Sequence, residues 1–382
     1  MKKIPLEHIA FPISTLLITI NTFSTKSTLL ASILMLIIIL KNIKAIVKSK
    51  TIKELYIITG IVLAAASTGI WGNLYTNNLI KLSGLAIYSF AIIVSYRASI
   101  INSNSIVTAC NAIVIVHSAL FCIQLAYFFA TGHYLDITNF IRDTEADTLH
   151  LTNAFAYGGI RATGAYTEPS FYAMTVLSAA ACIMAFRKKI TPTVIIAIIT
   201  SCLSLSIAGI IISTLLLCIA TLKTKGSSLA KLLLVAIALS TAPIFYSFYD
   251  ERIVQAADYD AIASRLVVIN EIQNRDAIEN IFGAGILWDD RKPIGKSYLT
   301  GYHIRDSSFY IYILYTAGLA GLLIYLLFLY KTYKKDLFCS LLLCVTMLFK
   351  LHILHGVFWL VVVFIYISTY AHNKYSINIS NS

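Results

Sequence analysis

Charge is scarce in this chain: Asp, Glu, Lys and Arg make up 13% of its 382 residues, while 58% are apolar. Soluble domains carry about a quarter charged residues, so a soluble globular fold is excluded. Acids are scarcer than bases, 18 against 30, and the net charge is +12. Such a balance could suit nucleic acid, but the lysines sit in short clusters between apolar runs, as membrane orientation signals do. Nucleic acid is therefore not an expected partner. The seven cysteines form no CxxC pair and all lie in apolar stretches, which gives no support to a thiolate metal centre or a disulfide framework and leaves them as small buried hydrophobes. Gly/Ser runs, low-complexity tracts and fixed-period repeats are absent too, so neither a flexible linker nor a solenoid is present.

Apolar runs fill the chain. Windows of about 19 residues predict spans near 6–24, 27–40, 55–71, 79–96, 106–130, 169–186, 190–205, 207–222, 229–249, 307–330, 336–351 and 353–370. The expected fold is all-α, a polytopic integral membrane protein whose single transmembrane domain has about twelve helices. Glu7, His8, Pro5 and Pro12 interrupt the first span, and without a small-residue cleavage site after it the segment reads as retained. With both termini inside, the inner segments collect most of the basic residues, and the short outer loops hold only Lys26, Lys81 and Lys350. Two long loops, 131–168 and 250–306, then face outward with 15 of the 18 acids. Function is expected there.

The first loop ends in Tyr157-Gly158-Gly159-Ile160-Arg161-Ala162-Thr163-Gly164-Ala165-Tyr166-Thr167-Glu168-Pro169-Ser170. Its glycines permit close backbone approach, Pro169 suits a first helical turn, and Glu168 lies where a helix dipole favours an anion. Arg161 and Glu168 are expected at the lipid-water boundary, either as a site or as an interfacial anchor with Arg161 on a lipid phosphate. In the second loop, Ile262, Leu266, Ile269 and Ile272 recur at helical spacing and predict one amphipathic helix over 258–281. Arg275 has Glu271 and Glu279 at i±4 and reads as a paired surface charge. Arg265 has no such neighbours, which leaves its guanidinium for a phosphate or a distant partner.

Gly283-Ala284-Gly285 should end that helix, and His303-Ile304-Arg305-Asp306-Ser307-Ser308-Phe309 leads back to the membrane. His303 could accept a proton near neutral pH or be structural, and Asp306 could be a helix N-cap. Asp258-Tyr259-Asp260 is a weak DxD pattern that also suits a helix start. Lys223-Thr224-Lys225-Gly226-Ser227 lacks the upstream glycine of a phosphate loop, and His352 with His355 reads as packing rather than a metal site.

The run Arg161-Ala162-Thr163-Gly164-Ala165-Tyr166-Thr167-Glu168-Pro169-Ser170 resembles the motif of Wzy-type O-antigen and capsule polymerases. Ser264-Arg265, Asn280-Ile281-Phe282-Gly283-Ala284-Gly285, Asp306-Ser307-Ser308-Phe309 and Gly318-Leu319-Ala320-Gly321 look like that superfamily's large loop and following helix. The superfamily's ligases often place a His directly before an Asn-Ser at the last motif; here Asp306 precedes Ser307, and His303 lies three residues earlier. The resemblance implies a GT-C-like membrane fold in the bacterial cytoplasmic membrane. It also implies transfer of a glycan from polyprenyl pyrophosphate onto a second lipid-linked repeat unit, without cofactor or metal. Arg161 and Arg265 would bind the pyrophosphate, and Glu168, His303 or Asp306 would orient or deprotonate the acceptor. A chain-length regulator protein would be a further partner. An O-antigen ligase, or a flippase of lipid-linked oligosaccharide, is the competing expectation.

Overall fold

The computed structural model describes residues 5–20, 25–48, 75–137, 155–156, 159–223, 261–289, 292–294 and 299–380. The expected spans at 55–71 and 229–249 and the DxD pattern lie outside them. Helices account for nearly all regular structure: α1 Leu6–Ile20, α2 Thr25–Lys41, α3 Ile43–Lys48, α4 Thr76–Arg97, α5 Ser103–Thr131, α6 Pro169–Arg187, α7 Pro192–Leu203, α8 Ile207–Lys223, α9 Ala261–Gln273, α10 Ala277–Phe282, α11 Gly301–Arg305, α12 Phe309–Lys335, α13 Leu337–Thr346 and α14 Gly356–Ser380. A two-residue antiparallel pair, β1 Phe155–Ala156 with β2 Gly159–Ile160, precedes Arg161.

Among the described residues, four helices are long and apolar enough to cross a membrane: α4, α5, α6 and α12. Their roles differ. The hydrophobic window of α6 is 94% buried, whereas that of α12 is 33% buried. Ala173, Ala179, Ala180, Ala181 and Ala185 give α6 a thin profile, so α5, α7, α8, α13 and α14 all pack on it; small residues allow such close approach where apolar solvent offers no hydrophobic drive. α12 instead exposes Leu319, Leu323, Ile324, Leu327 and Tyr330, an outward apolar stripe suited to lipid. Of the cysteines expected to be buried, Cys110, Cys182 and Cys339 are, but Cys122 is exposed on the apolar surface of α5.

Charge sorts to the two ends of the bundle. At one end Lys188 pairs with Asp336, Lys41 with Glu7, and Arg97 and Lys335 cover the Tyr370 ring at 5.9 and 3.6 Å. These bases lie at or just beyond helix C-termini, where carbonyls are unsatisfied. The starts of α4, α6 and α12 and the buried segment Met347–His355 meet at the other end.

The single helix expected over 258–281 is two. Asp276 accepts from the Glu279 amide and starts α10 after a break at 274–276, so a side-chain cap overrode the continuous apolar spacing. The expected stop at Gly283 is present, with φ +77°.

Candidate functional site

The segment Arg161–Glu168 is folded into the bundle, with residues 161–166 buried. Gln124 of α5, fully buried, accepts from the amides of Thr163 and Gly164 at 2.7 and 3.0 Å and donates to the Leu135 carbonyl at 2.8 Å. One amide side chain thus satisfies backbone groups that burial would otherwise leave costly. Gly164 has φ +61°, and a Cβ there would press on the backbone of His117 and Phe121 at 3.4 Å. Tyr166 donates to the Thr19 carbonyl at 2.8 Å and lies 3.0 Å from His117 Nε2, which lies 3.1 Å from Thr19 Oγ1. Arg161 is 7% exposed and donates to the Leu205 carbonyl at 3.3 Å. The Arg161 guanidinium is thus largely covered by protein.

This folding delivers Glu168 to the N-cap position of α6, with Pro169 at the first helical position as expected. Glu168 Oε2 accepts from Ser170 at 2.9 Å and from Lys350 Nζ at 2.7 Å. The same ammonium reaches Asp306 Oδ1 at 2.5 Å and lies 4.7 Å above the Phe171 ring. Burial alone would raise the Glu168 carboxyl, but the Lys350 ammonium outweighs it and holds the group below the usual carboxylate range. Burial likewise opposes charge on Lys350, and the two carboxylates reverse that, holding its pKa above the usual lysine value. Asp306 is not the N-cap expected of it: Ser308 occupies that position before α12.

Beneath Lys350 lie His352 and His355, at 1% and 0% exposure, with ring centroids 5.0 Å apart. His352 faces Tyr312 and His355 faces Phe171. Burial first, then the nearby Arg305 and Lys81, push both imidazoles well below the usual histidine range, and Lys350 adds to this at His355. Arg305 and Lys81 are themselves 8% and 5% exposed. Two buried cations, Lys81 and Arg305, thus stand near the histidine pair that underlies Lys350.

The second loop is docked by its backbone. α12 is broken at Gly318, φ +62° and ψ −162°, and the carbonyls of Tyr315 and Thr316 accept from the amides of Ala284 and Gly285 at 3.0 and 2.8 Å. A Cβ on Gly283 would fall 2.3 Å from Thr316 backbone, and one on Gly318 2.4 Å from the Ile281 carbonyl. Arg275 joins this docking, donating to the Tyr315 carbonyl at 2.8 Å and stacking 3.5 Å from the Tyr315 ring centroid. Its guanidinium is thus turned to α12 rather than to Glu271 and Glu279, the pairing its spacing predicts. Leu287 and Trp288 carbonyls then take the Tyr75 amide and the Asn78 side chain at the start of α4.

Glu168 and Asp306 are thus brought together on one ammonium. Arg161 is anchored through the Leu205 carbonyl, and Arg265 is exposed on α9. His303 is exposed as well, and its Nδ1 meets Thr300 Oγ1 at 2.9 Å. Sequence reading missed Lys350, Arg305 and Lys81. A signal existed for two of them, since Lys81 and Lys350 are solitary bases left outside by the charge rule. Comparison of the chain with models of known families, with curated proteins and with solved structures returned no match.

Proposed function

We propose that this chain is a membrane-embedded glycosyltransferase of the polysaccharide-polymerase type, with about twelve spans and both termini on the cytoplasmic side. It moves a glycan from polyprenyl pyrophosphate onto a sugar hydroxyl of a second lipid-linked repeat unit at the outer face. The observation that carries this reading is the Lys350 bridge, because it joins Glu168 of the first motif to Asp306 of the last. Polyprenyl pyrophosphate is already a good leaving group, so the protein must position two lipid-anchored sugars, stabilise departing negative charge and accept one proton. Arg161, Arg265 and the buried cations near Lys350 suit the charge, and Asp306, Glu168 or His303 suits the proton. Attack opposite the leaving group inverts the anomeric centre. Gathering of bases at the opposite end of the bundle supports a cytoplasmic position for that end.

A translocator of the same lipid-linked glycans is the second reading. Few interior charges and uninterrupted spans would argue against it; the break at Gly318 and the buried Lys81 and Arg305 weaken that argument. Purified protein incubated with lipid-linked oligosaccharide separates the readings. Longer glycans support the polymerase, movement across a vesicle without elongation supports the translocator, and transfer only to a different acceptor indicates a ligase.

A further inference from the structure

We propose that Lys350 is a positioning residue of this site: its ammonium yokes Glu168 to Asp306 and keeps both carboxylates aimed at one place. The inference deepens the proposed function and rests on it for the reaction, though not for the yoke itself. Three chain segments meet at this one nitrogen, and the partners lie 182 and 44 residues away in sequence. Side-chain exposures of 13% for Lys350, 22% for Glu168 and 31% for Asp306 show a pair of acids only partly open to water. An ammonium has three donors, and two are committed here to carboxylates.

The division of labour follows from the geometry. Glu168 Oε2 is held by both Ser170 and Lys350, at the start of α6, which fits an anchor. Asp306 is the more exposed acid and takes Lys350 through Oδ1, which fits the group that receives the proton. In the transfer, the acceptor hydroxyl oxygen bonds to the anomeric carbon, its proton passes to Asp306, and the anomeric C–O bond breaks with its electron pair leaving on the lipid pyrophosphate. Other charged or titratable groups facing this triad are Arg305 beside Asp306, His352 and His355 on the Lys350 segment, and Lys81 of α4. All four are unaltered in the variants below.

The test is a pair of pH profiles on the full chain in detergent. In the wild type the Glu168 carboxyl sits below its ordinary range, so its stabilising effect is complete above the unfolded value of about 4.3 and is lost only as pH falls through the folded value. In Lys350→Met the two carboxyls are buried without the ammonium, their pKa rises, and the melting temperature measured relative to wild type should climb as pH is lowered from about 8 to about 5. The acid limb of glycan elongation should also move up by about one pH unit or more. Lys350→Arg should restore the wild-type limb. Combining Lys350→Met with Glu168→Gln and Asp306→Asn should return the pH dependence of the melting temperature to the wild-type form over this range, because both proteins keep the same buried histidines. If Lys350→Met yields no folded protein, the triple variant decides: its folding with the wild-type pH profile supports the yoke, and its failure to fold overturns it. Lys350→Met with wild-type profiles overturns the proposal outright. Should wild-type protein elongate nothing, the polymerase reading falls while the melting profiles still judge Lys350.

Discussion

The two segments that carry the resemblance are fastened to the bundle by opposite means. Arg161–Glu168 is held by side chains reaching in from α1 and α5, chiefly Gln124 and the Tyr166–His117–Thr19 cluster. The 283–285 segment is held main chain to main chain, across the break in α12. Side-chain fastening spreads the load over several exchangeable groups, whereas backbone fastening tolerates change almost anywhere except at the two glycines that permit it. The first arrangement suits a segment that must present a charged group with a set orientation, the second a junction whose only requirement is closeness.

The sharpest way to break this contrast is at the junction. Gly318→Val places a side chain where even a Cβ meets backbone at 2.4 Å, and at a positive φ, so a destabilisation of about 3 kcal/mol or more is expected. Thermal denaturation in detergent should show it, and a variant that melts as wild type would remove the backbone-docking account. Gln124→Leu, of similar size, strands the Thr163 and Gly164 amides and should cost about 2 kcal/mol or more; Gln124→Glu, which keeps an acceptor, should cost less. Arg275→Ala comes next, at about 2 kcal/mol, because it removes a charged hydrogen bond and the stacking on Tyr315 in one step. That reverses the mild effect an exposed i, i+4 pair would have. Arg275→Lys measures how much depends on the planar guanidinium. Arg265→Ala should leave melting within about 0.5 kcal/mol of wild type, as surface changes do, yet sharply reduce elongation if its guanidinium meets pyrophosphate. Unchanged polymer ladders from that variant would strike Arg265 from the site.

Much of this is readable in the residues. Pro169 after Glu168 marks a helix start that α6 confirms, and Gly283 marks a stop. These are local signals, written within a turn of where they act. The break at 274–276 is hidden because Ile262, Leu266, Ile269 and Ile272 carry the apolar spacing up to it and Asp276 does the interrupting with one side-chain hydrogen bond. Arg275 looks paired because its acids stand at the right spacing, but a carbonyl freed by a distant kink competes better. Lys350 is beyond sequence reading for a plainer reason: nothing local marks it as a partner of carboxylates, and both of its acids come from segments that only folding brings near.

The broken α12 bears on how the protein is made. A helix interrupted within an apolar medium exposes peptide carbonyls that lipid cannot satisfy, and here the donors that quiet Tyr315 and Thr316 come from residues 275, 284 and 285. Those residues precede α12 in the chain, so during synthesis the plug emerges from the ribosome before the socket it fills. The break in α12 is therefore satisfied only once the preceding segment has docked against it.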